Sequence, residues 1–288
     1  VTITGKNFTA PGASFSGSGA SITNFTVVND TTATAEVTCP YSAEEHTVTV
    51  MCGTESSKTG TISVKDYSTG YEVGKIVLAN NTLVDKDSYA IDSSNPPVGI
   101  ICGSNSYKVP RMIALQHTGS SLEWAKAGST GSKTEFEGII CRPSHTVAQT
   151  ARFTGDTDGS DNWEYIKQQD PAGAADAATN YPAFHWVNQY NTQYAAQLGG
   201  TNFAWYMPSL AELCEVYKNK DKINASLKTI HDASGGSAYA DESLGTNPYW
   251  SSSQYSSDIY AWLVYFSDGN VDFNFKDRNV RVCCLAKL

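Results

Sequence analysis

The chain has 288 residues, of which 40% are hydrophobic and 17% are charged, so it predicts one large or two ordinary folded domains and excludes a disordered chain. Its formal net charge of −9 and pI near 5.0 supply no basic field for a phosphate backbone, which excludes nucleic acid as an expected partner. A protein or a glycan is the partner that we expect. The chain holds no apolar run of the roughly 20 residues that span a bilayer.

Residues 1 to about 64 alternate apolar and polar side chains with a period of two, and Pro-Gly and Gly-Ser turns interrupt the pattern. This periodicity is typical of short β-strands and predicts a small β-sandwich. The order V-T-I-T-G-K-N-F, T-A-T-A-E-V-T-C-P and H-T-V-T-V resembles the immunoglobulin-like IPT/TIG family. The resemblance implies a spacer or contact module without chemistry.

The seven cysteines include no C-x-x-C pair and no Cys/His spacing that predicts a zinc site. Cys39 and Cys52 flank a hairpin-like segment, and two interpretations stay open: a disulfide bridge in an exported protein, or two buried free thiols. The other five are expected to pack as small apolar residues. Adjacent Cys283 and Cys284 should point to opposite faces, which places them poorly for a redox or metal pair.

Residues 65–70 read as a linker, and the pattern then changes to mixed α and β up to residue 288. Residues 71–78 and 98–102 predict strands. Asp156, Asp158 and Asp161 surround a glycine and offer the hard oxygen ligands that calcium prefers, although the twelfth position of an EF-hand loop is Lys167 instead of glutamate. A structural turn without metal is the alternative that we favour.

Two segments in the second half of the chain predict helices. Pro182 fixes the start of one helix that carries Phe184 and Val187. Ser209 and Glu212 have the spacing of a capping box at the start of the other. A further short helix should carry the apolar stripe of residues 223, 227 and 230.

The last forty residues predict short strands with many aromatic and polar side chains. W-Y-M-P-S-L-A-E-L (205–213), Y-W-S-S-S-Q (249–254), Y-A-W-L-V-Y-F-S-D-G (260–269) and V-C-C-L-A-K-L (282–288) together resemble the C-type-lectin-fold domains related to formylglycine-generating enzymes. The resemblance is strongest to the variable proteins of diversity-generating retroelements and covers about residues 65–288. It implies an α+β protein with a C-type lectin fold, preceded by the small immunoglobulin-like β-sandwich.

In that family, adenine-directed mutagenesis rewrites Asn-type codons near the end of the gene, and those codons do not reach Trp, Lys, Gln, Glu or Met. Trp262 and Lys276 are thus expected to be fixed framework within a variable region of about residues 250–282, as are Ala261, Val264, Phe266 and Gly269 by their place in the motif. Asn270 and Asp277 are assigned to turns. The resemblance implies the following variable, ligand-binding positions: Tyr255, Ser257, Asp258, Ile259, Tyr260, Leu263, Tyr265, Ser267, Asp272, Phe273, Asn274, Phe275, Arg278, Asn279 and Arg281.

Strand alternation makes a separate prediction about which of these side chains are displayed. It places Trp262, Val264 and Phe266 on the packed face, and Leu263 and Tyr265 on the displayed face.

The resemblance implies a surface-displayed binding protein of a bacterial cell surface or outer membrane, without catalysis. It implies an export signal or lipid anchor that is absent from this chain, and no cofactor except calcium if the acidic loop binds it. The alternatives are an invariant calcium-dependent carbohydrate-binding lectin and an enzyme on the formylglycine-generating-enzyme-like fold.

Overall fold

The computed structural model describes residues 2–4, 14–17, 21–38, 45–52, 55–63, 70–104, 109–236, 239–241 and 243–288. The chain divides into two compact units, residues 1–69 and 70–288. The division thus comes five residues after the predicted boundary at residue 64.

The first unit contains two three-stranded antiparallel sheets, with the strand orders β1-β4-β3 and β2-β5-β6. Its strands are β1 (Thr2–Thr4), β2 (Ser14–Gly17), β3 (Ser21–Asn29), β4 (Thr32–Thr38), β5 (Glu45–Cys52) and β6 (Glu55–Ser63). Cys39 and the side chain of Cys52 lie outside the described residues, and so does the choice between a bridge and two thiols.

The second unit contains a five-stranded sheet, a three-stranded sheet and two strand pairs, all antiparallel. The five-stranded sheet has the order β18-β10-β9-β7-β8, and the three-stranded sheet has the order β14-β15-β16. The strands are β7 (Ile76–Leu78), β8 (Leu83–Val84), β9 (Pro97–Ser104), β10 (Pro110–Ala114), β11 (Leu122–Glu123), β12 (Cys141–Pro143), β13 (Phe153–Gly155), β14 (Pro248–Gln254), β15 (Tyr260–Tyr265), β16 (Val271–Phe275), β17 (Asn279–Val280) and β18 (Leu285–Lys287).

The helices of the second unit all precede the three-stranded sheet in the chain. They are α1 (Asn162–Gln169), α2 (Pro171–Ala175), α3 (Ala177–Asn180), α4 (Pro182–Asn188), α5 (Tyr190–Gln193), α6 (Leu210–Lys218) and α7 (Lys220–Ala233). None of the helices in the described part of the chain has the length and apolar character that a bilayer crossing requires. The prediction of a mixed α+β protein is confirmed at this level.

The helix starts follow the local sequence signals. Pro182 occupies the first turn of α4. At α6, the Ser209 side chain accepts from the Glu212 N–H, and the Glu212 side chain accepts from the Ser209 N–H, so the predicted capping box is confirmed. Glu212 also accepts from Arg111 and from the Tyr206 hydroxyl, which connects the start of α6 to β10.

Two apolar clusters form the core of the second unit, and the five-stranded and three-stranded sheets contribute to both. One cluster combines α6 and α7 with alternate residues of β9 and β15, such as Ile100 and Val264. The other combines α1 and α4 with the intervening residues, such as Ile101 and Leu263. Because successive side chains of a strand point to opposite faces, each of these sheets contributes side chains to both clusters.

The cysteines of the described region pack inside these clusters. Cys102, Cys141, Cys214, Cys283 and Cys284 are all free and buried, as predicted. Cys283 belongs to the α6/α7 cluster and Cys284 to the α1/α4 cluster, which confirms that the two neighbours point in opposite directions.

Candidate functional site

The face of β15 and β16 that carries Trp262 changes from core to surface along the strands. At one end Val264 pairs with Val271, and both are buried. At the other end Tyr260 pairs with Phe275, which is 40% exposed. The packed face of the sheet therefore continues without a break into a displayed face.

Four rings form a contiguous patch at this open end, and we call Tyr255, Tyr260, Phe273 and Phe275 the aromatic surface. Tyr255 stacks on Phe273 with ring centroids 4.2 Å apart. Tyr260 contacts Phe273 at 5.1 Å and Phe275 at 4.7 Å. The guanidinium of Arg278 lies 5.8 Å from the Phe275 ring. Rings that support one another in this way offer a large contact area at low entropic cost.

Trp262 forms the floor of the aromatic surface. It is 7% exposed, and its ring lies 5.0 Å from Tyr255 and 5.7 Å from Phe273. The indole N–H donates to the Cys141 carbonyl oxygen at 2.8 Å, which fixes the ring in one orientation. The predicted framework position Trp262 is thus a buried support for two displayed rings.

Lys276 is a second buried support, one residue beyond Phe275. It is 1% exposed, and its ammonium donates to the carbonyl oxygens of Gly131 at 3.0 Å and Thr134 at 2.8 Å. The ammonium also lies over the rings of Trp124 at 4.8 Å and Phe136 at 4.9 Å. These contacts offset the desolvation of the charge.

Burial nevertheless lowers the pKa of Lys276 to about 7, and the carboxylates of Asp258 and Glu135 oppose this shift. The charge of Lys276 therefore changes near neutral pH, within a set of contacts that holds the loop before β15.

Gln254 connects Lys276 to that loop. Its side-chain oxygen accepts from the Lys276 ammonium at 3.0 Å and from the Phe136 N–H at 3.1 Å, and its amide nitrogen donates to the Ser257 carbonyl oxygen at 2.8 Å. Gln254 is fully buried. Reasoning from the sequence missed this role, although Gln254 closes the Y-W-S-S-S-Q motif and is a residue type that the variable codons do not reach.

The serines of the same motif are also structural. The Ser251 hydroxyl donates to the Trp262 carbonyl oxygen, the Ser252 hydroxyl accepts from Asn162, and the Ser253 hydroxyl accepts from the Leu210 N–H. All three serines are fully buried. The motif thus joins β14 to β15, α1 and α6.

The structure divides the fifteen predicted variable positions by exposure. The exposed ones are Asp258, Ser267, Phe273, Phe275, Arg278 and Asn279. The half-buried ones are Tyr255, Ser257, Ile259, Tyr260, Tyr265, Asp272, Asn274 and Arg281. Leu263 is buried, with 1% exposure.

The prediction that Leu263 is displayed is wrong. Its side chain points into the α1/α4 cluster, because the face of β15 opposite Trp262 is covered by a second layer of core. Tyr265 packs partly against the same cluster, so it is half-buried for the same reason. The alternation of residues in β15 predicted correctly which side chains share a face. It carries no information on whether other segments cover that face.

Two of the predicted positions lie away from the aromatic surface along β15, and two lie on β17 or directly after it. Tyr265 and Ser267 are at the far end of β15, five residues or more from Tyr260, which is about 16 Å along an extended strand. Asn279 starts β17, and Arg281 donates to the Thr118 carbonyl oxygen at 3.1 Å. The structure therefore does not join all fifteen positions into one patch around the four rings.

The acidic loop differs from the calcium site that its sequence suggests. Lys287 donates to Asp158 at 2.7 Å, and the Asn162 amide donates to Asp156 at 2.9 Å. Asp161 is exposed before α1 and makes no side-chain cap. Among the residues that the structure describes, no group of three or more His, Cys, Asp or Glu side chains is placed to hold a metal ion. The carboxylates are occupied by a lysine and an amide, as in a structural turn.

One histidine makes a buried contact with a carboxylate that the sequence did not suggest. His117 Nδ1 lies 3.0 Å from the Asp241 carboxylate, which also accepts from the His117 N–H at 2.8 Å. Burial raises the pKa of Asp241, but these two bonds and the His117 charge outweigh it and lower the pKa below its usual value. The pair fastens residue 241 to the segment after β10 and lies on no part of the aromatic surface.

No known protein family, curated protein or solved structure matches this chain. The aromatic surface and its buried supports are the features of this chain that indicate a function.

Proposed function

We propose that this chain is a ligand-binding protein without catalysis, whose second unit presents a diversified binding surface on a C-type lectin fold. The observation that carries the proposal is the aromatic surface, in which two exposed and two half-buried rings lie beside the buried Trp262 and Lys276. Rigid aromatic side chains beside an arginine, Arg278, have the composition of protein recognition sites. The ligand is a macromolecule, either a protein or a glycan.

The separation between displayed and buried residue types supports diversification by a retroelement. Trp262 and Lys276 are the residue types between Gln254 and Val282 that the variable codons do not reach, and both are buried and hydrogen-bonded. Phe273, Phe275 and Arg278 are reachable types, and they are exposed. Substitution at these three positions would change contacts without removing a support.

The arrangement of the sheets supports the C-type lectin fold and the immunoglobulin-like module. In the second unit the last strand, β18, pairs with β10 of the sheet that contains β7, so the two ends of the unit share one sheet. The first unit consists of paired antiparallel sheets of short strands, which suits a spacer. Display on a bacterial cell surface is part of the proposal.

Sequencing the gene from many isolates tests the proposal. We expect nonsynonymous changes concentrated at the codons of the aromatic surface and its neighbours, with Trp262 and Lys276 constant. Leu263 sits in the core, so copies that fold should carry only apolar residues there. Tyr265, Ser267, Asn279 and Arg281 stay predictions as variable positions. Changes spread evenly along the gene would contradict diversification and favour an invariant binding protein.

A further inference from the structure

The outer edge of β16 borders the aromatic surface. β16 is the last strand of the three-stranded sheet, and among the described residues no strand pairs with its side away from β15 over Asp272–Phe275. Such an edge presents unpaired main-chain groups, and proteins usually cover or protect it. Whether a partner strand can pair with this edge depends on what its N–H and C=O groups already bind.

The register of β15 and β16 shows which main-chain groups face outward. Lys276 N–H donates to the Ile259 carbonyl oxygen at 3.0 Å, and Tyr265 N–H donates to the Asn270 carbonyl oxygen at 2.9 Å. Since the direction of these groups alternates along a strand, positions 270, 272, 274 and 276 face β15, whereas 271, 273 and 275 face outward.

The start of this edge is already paired in strand fashion. Val271 N–H donates to the Thr146 carbonyl oxygen at 2.7 Å, and Val147 forms an antiparallel bridge with Asn270. Among the described residues no further main-chain bond or bridge joins this segment to β16, and Ser144 N–H donates instead to the Arg152 carbonyl oxygen. The edge therefore accepts an antiparallel neighbour at Val271 and loses it before Phe273.

The outward N–H groups beyond Val271 are satisfied by side chains of the same strand. Phe273 N–H donates to the Asp272 carboxylate at 2.8 Å, and Phe275 N–H donates to the Asn274 side-chain oxygen at 2.9 Å. Both acceptors belong to partly exposed side chains that can rotate away. The edge is thus protected without being covered.

We propose that the outer edge of β16 binds an extended polypeptide segment of a protein partner, which adds a strand to the sheet and lays alternate side chains on the aromatic surface. The inference rests on the proposed function and names its ligand class. The outward N–H groups of Phe273 and Phe275 are two residues apart, about 6.8 Å, which is the repeat of a polypeptide strand.

Several features make a polypeptide a better occupant than a glycan. A strand neighbour replaces the Asp272 and Asn274 oxygens by main-chain carbonyl oxygens, and it donates to the outward Phe273 carbonyl oxygen in return. Its side chains on the ring face are apolar or aromatic, because Phe273 and Phe275 are among the few large apolar side chains of the described residues that are exposed. The orientation of the Asp272 and Asn274 side chains therefore decides whether the outward N–H groups are available to a partner strand. Phe273 and Phe275 decide which side chains of that strand fit against the surface.

The test uses the full chain and a display library of seven-residue peptides, selected against the wild type and counter-selected against the Tyr260→Ala/Phe275→Ala variant. Each selected peptide is then synthesised in two forms. One form is N-methylated on the backbone amides of its odd-numbered residues and the other on those of its even-numbered residues, because alternate amides of a strand face opposite edges. We expect one form to bind as the parent does, and the other to lose about tenfold for each hydrogen bond removed. Amide exchange at Phe273 and Phe275 should slow on peptide binding, and Lys228→Ala, an exposed position on α7, should bind normally.

The outcomes separate the inference from the proposed function. Peptides that need the aromatic surface but tolerate methylation of either edge, with unprotected Phe273 and Phe275 amides, overturn strand addition and leave the binding surface in place. A library without surface-dependent peptides overturns the inference, and if glycan panels also show no dependence on Tyr260 and Phe275, the proposed function fails with it. Protection that rises with protein concentration alone identifies a second copy as the occupant and overturns a separate protein partner.

Discussion

Replacing Leu263 and Phe275 by alanine compares a buried position with a displayed one on neighbouring strands. Leu263 is 1% exposed and lies between β15 and the α1/α4 cluster, so Leu263→Ala removes apolar contacts and leaves a cavity. Such a change lowers the free energy of unfolding by about 4 kcal/mol where the surroundings cannot collapse. In a unit of this size each kcal/mol shifts the melting temperature by about 2–4 °C, so we expect a decrease of about 8–16 °C.

Phe275→Ala should be much less damaging. Burying a whole Phe side chain contributes about 1.5–3 kcal/mol. Phe275 keeps 40% of its surface in water, so its removal should lower the free energy of unfolding by only about 1 kcal/mol without a cavity term. Phe275→Ala should nevertheless weaken the binding of any ligand of the aromatic surface.

Urea denaturation and calorimetry of the full chain measure both changes, and Leu263→Met serves as the volume-conserving control with a loss under about 1.5 kcal/mol. If Leu263→Ala were as stable as the wild type while Phe275→Ala unfolded, the assignment of buried and displayed faces would be refuted.

Other groups give further expected outcomes. The folded-state pKa of Lys276 is about 7, whereas an unfolded Lys titrates near 10.4, so the unfolded state binds more protons between these values and stability rises with pH. Relative to Lys276→Met, the wild type should gain about 2 kcal/mol of unfolding free energy from pH 7 to pH 9; an unchanged difference in urea denaturation would contradict the pKa. Arg111→Met leaves the buried Glu212 carboxylate without its cation and should lower stability by about 3–5 kcal/mol, with partial recovery in Arg111→Met/Glu212→Gln, as chemical denaturation can show. Burial raises the pKa of the Cys283 thiol to about 12, so peptide mapping after alkylation should find Cys283 and Cys284 unmodified in the folded protein and modified after denaturation.

The local signals in the sequence were sufficient for α4, α6 and α7, whereas α1, α2, α3 and α5 were not predicted. The capping box at Ser209 and the proline at Pro182 depend on residues within one turn, so their geometry follows from neighbours in the chain. The mixed α+β class follows from the same local patterns. Predicting these features requires no knowledge of the residues that pack against them.

The displayed face was harder to predict because burial depends on distant segments. Leu263 is covered by residues of α1 and α4, which precede it in the chain by about eighty to one hundred positions. The alternation of residues in β15 contains no information about these helices. Trp262 and Lys276 were identified as supports from residue type alone, whereas the partners that hold them, such as Cys141 and Gly131, could be found only in three dimensions.

The acidic loop illustrates a different limit. Asp156, Asp158 and Asp161 have the composition of a calcium loop, but Lys287, at the end of the chain, reaches Asp158. A residue about 130 positions away thus binds one of the carboxylates that the loop sequence offers to calcium.

The supports of the aromatic surface bind mainly to main-chain oxygen atoms. Trp262 donates to the Cys141 carbonyl, Lys276 donates to those of Gly131 and Thr134, and Gln254 donates to that of Ser257. Every amino acid carries a carbonyl oxygen, so these bonds do not depend on the side chain of the residue that accepts them. Ser257 can therefore be replaced by another residue while Gln254 still holds its backbone, and the sequence of the loop can change while its position stays the same.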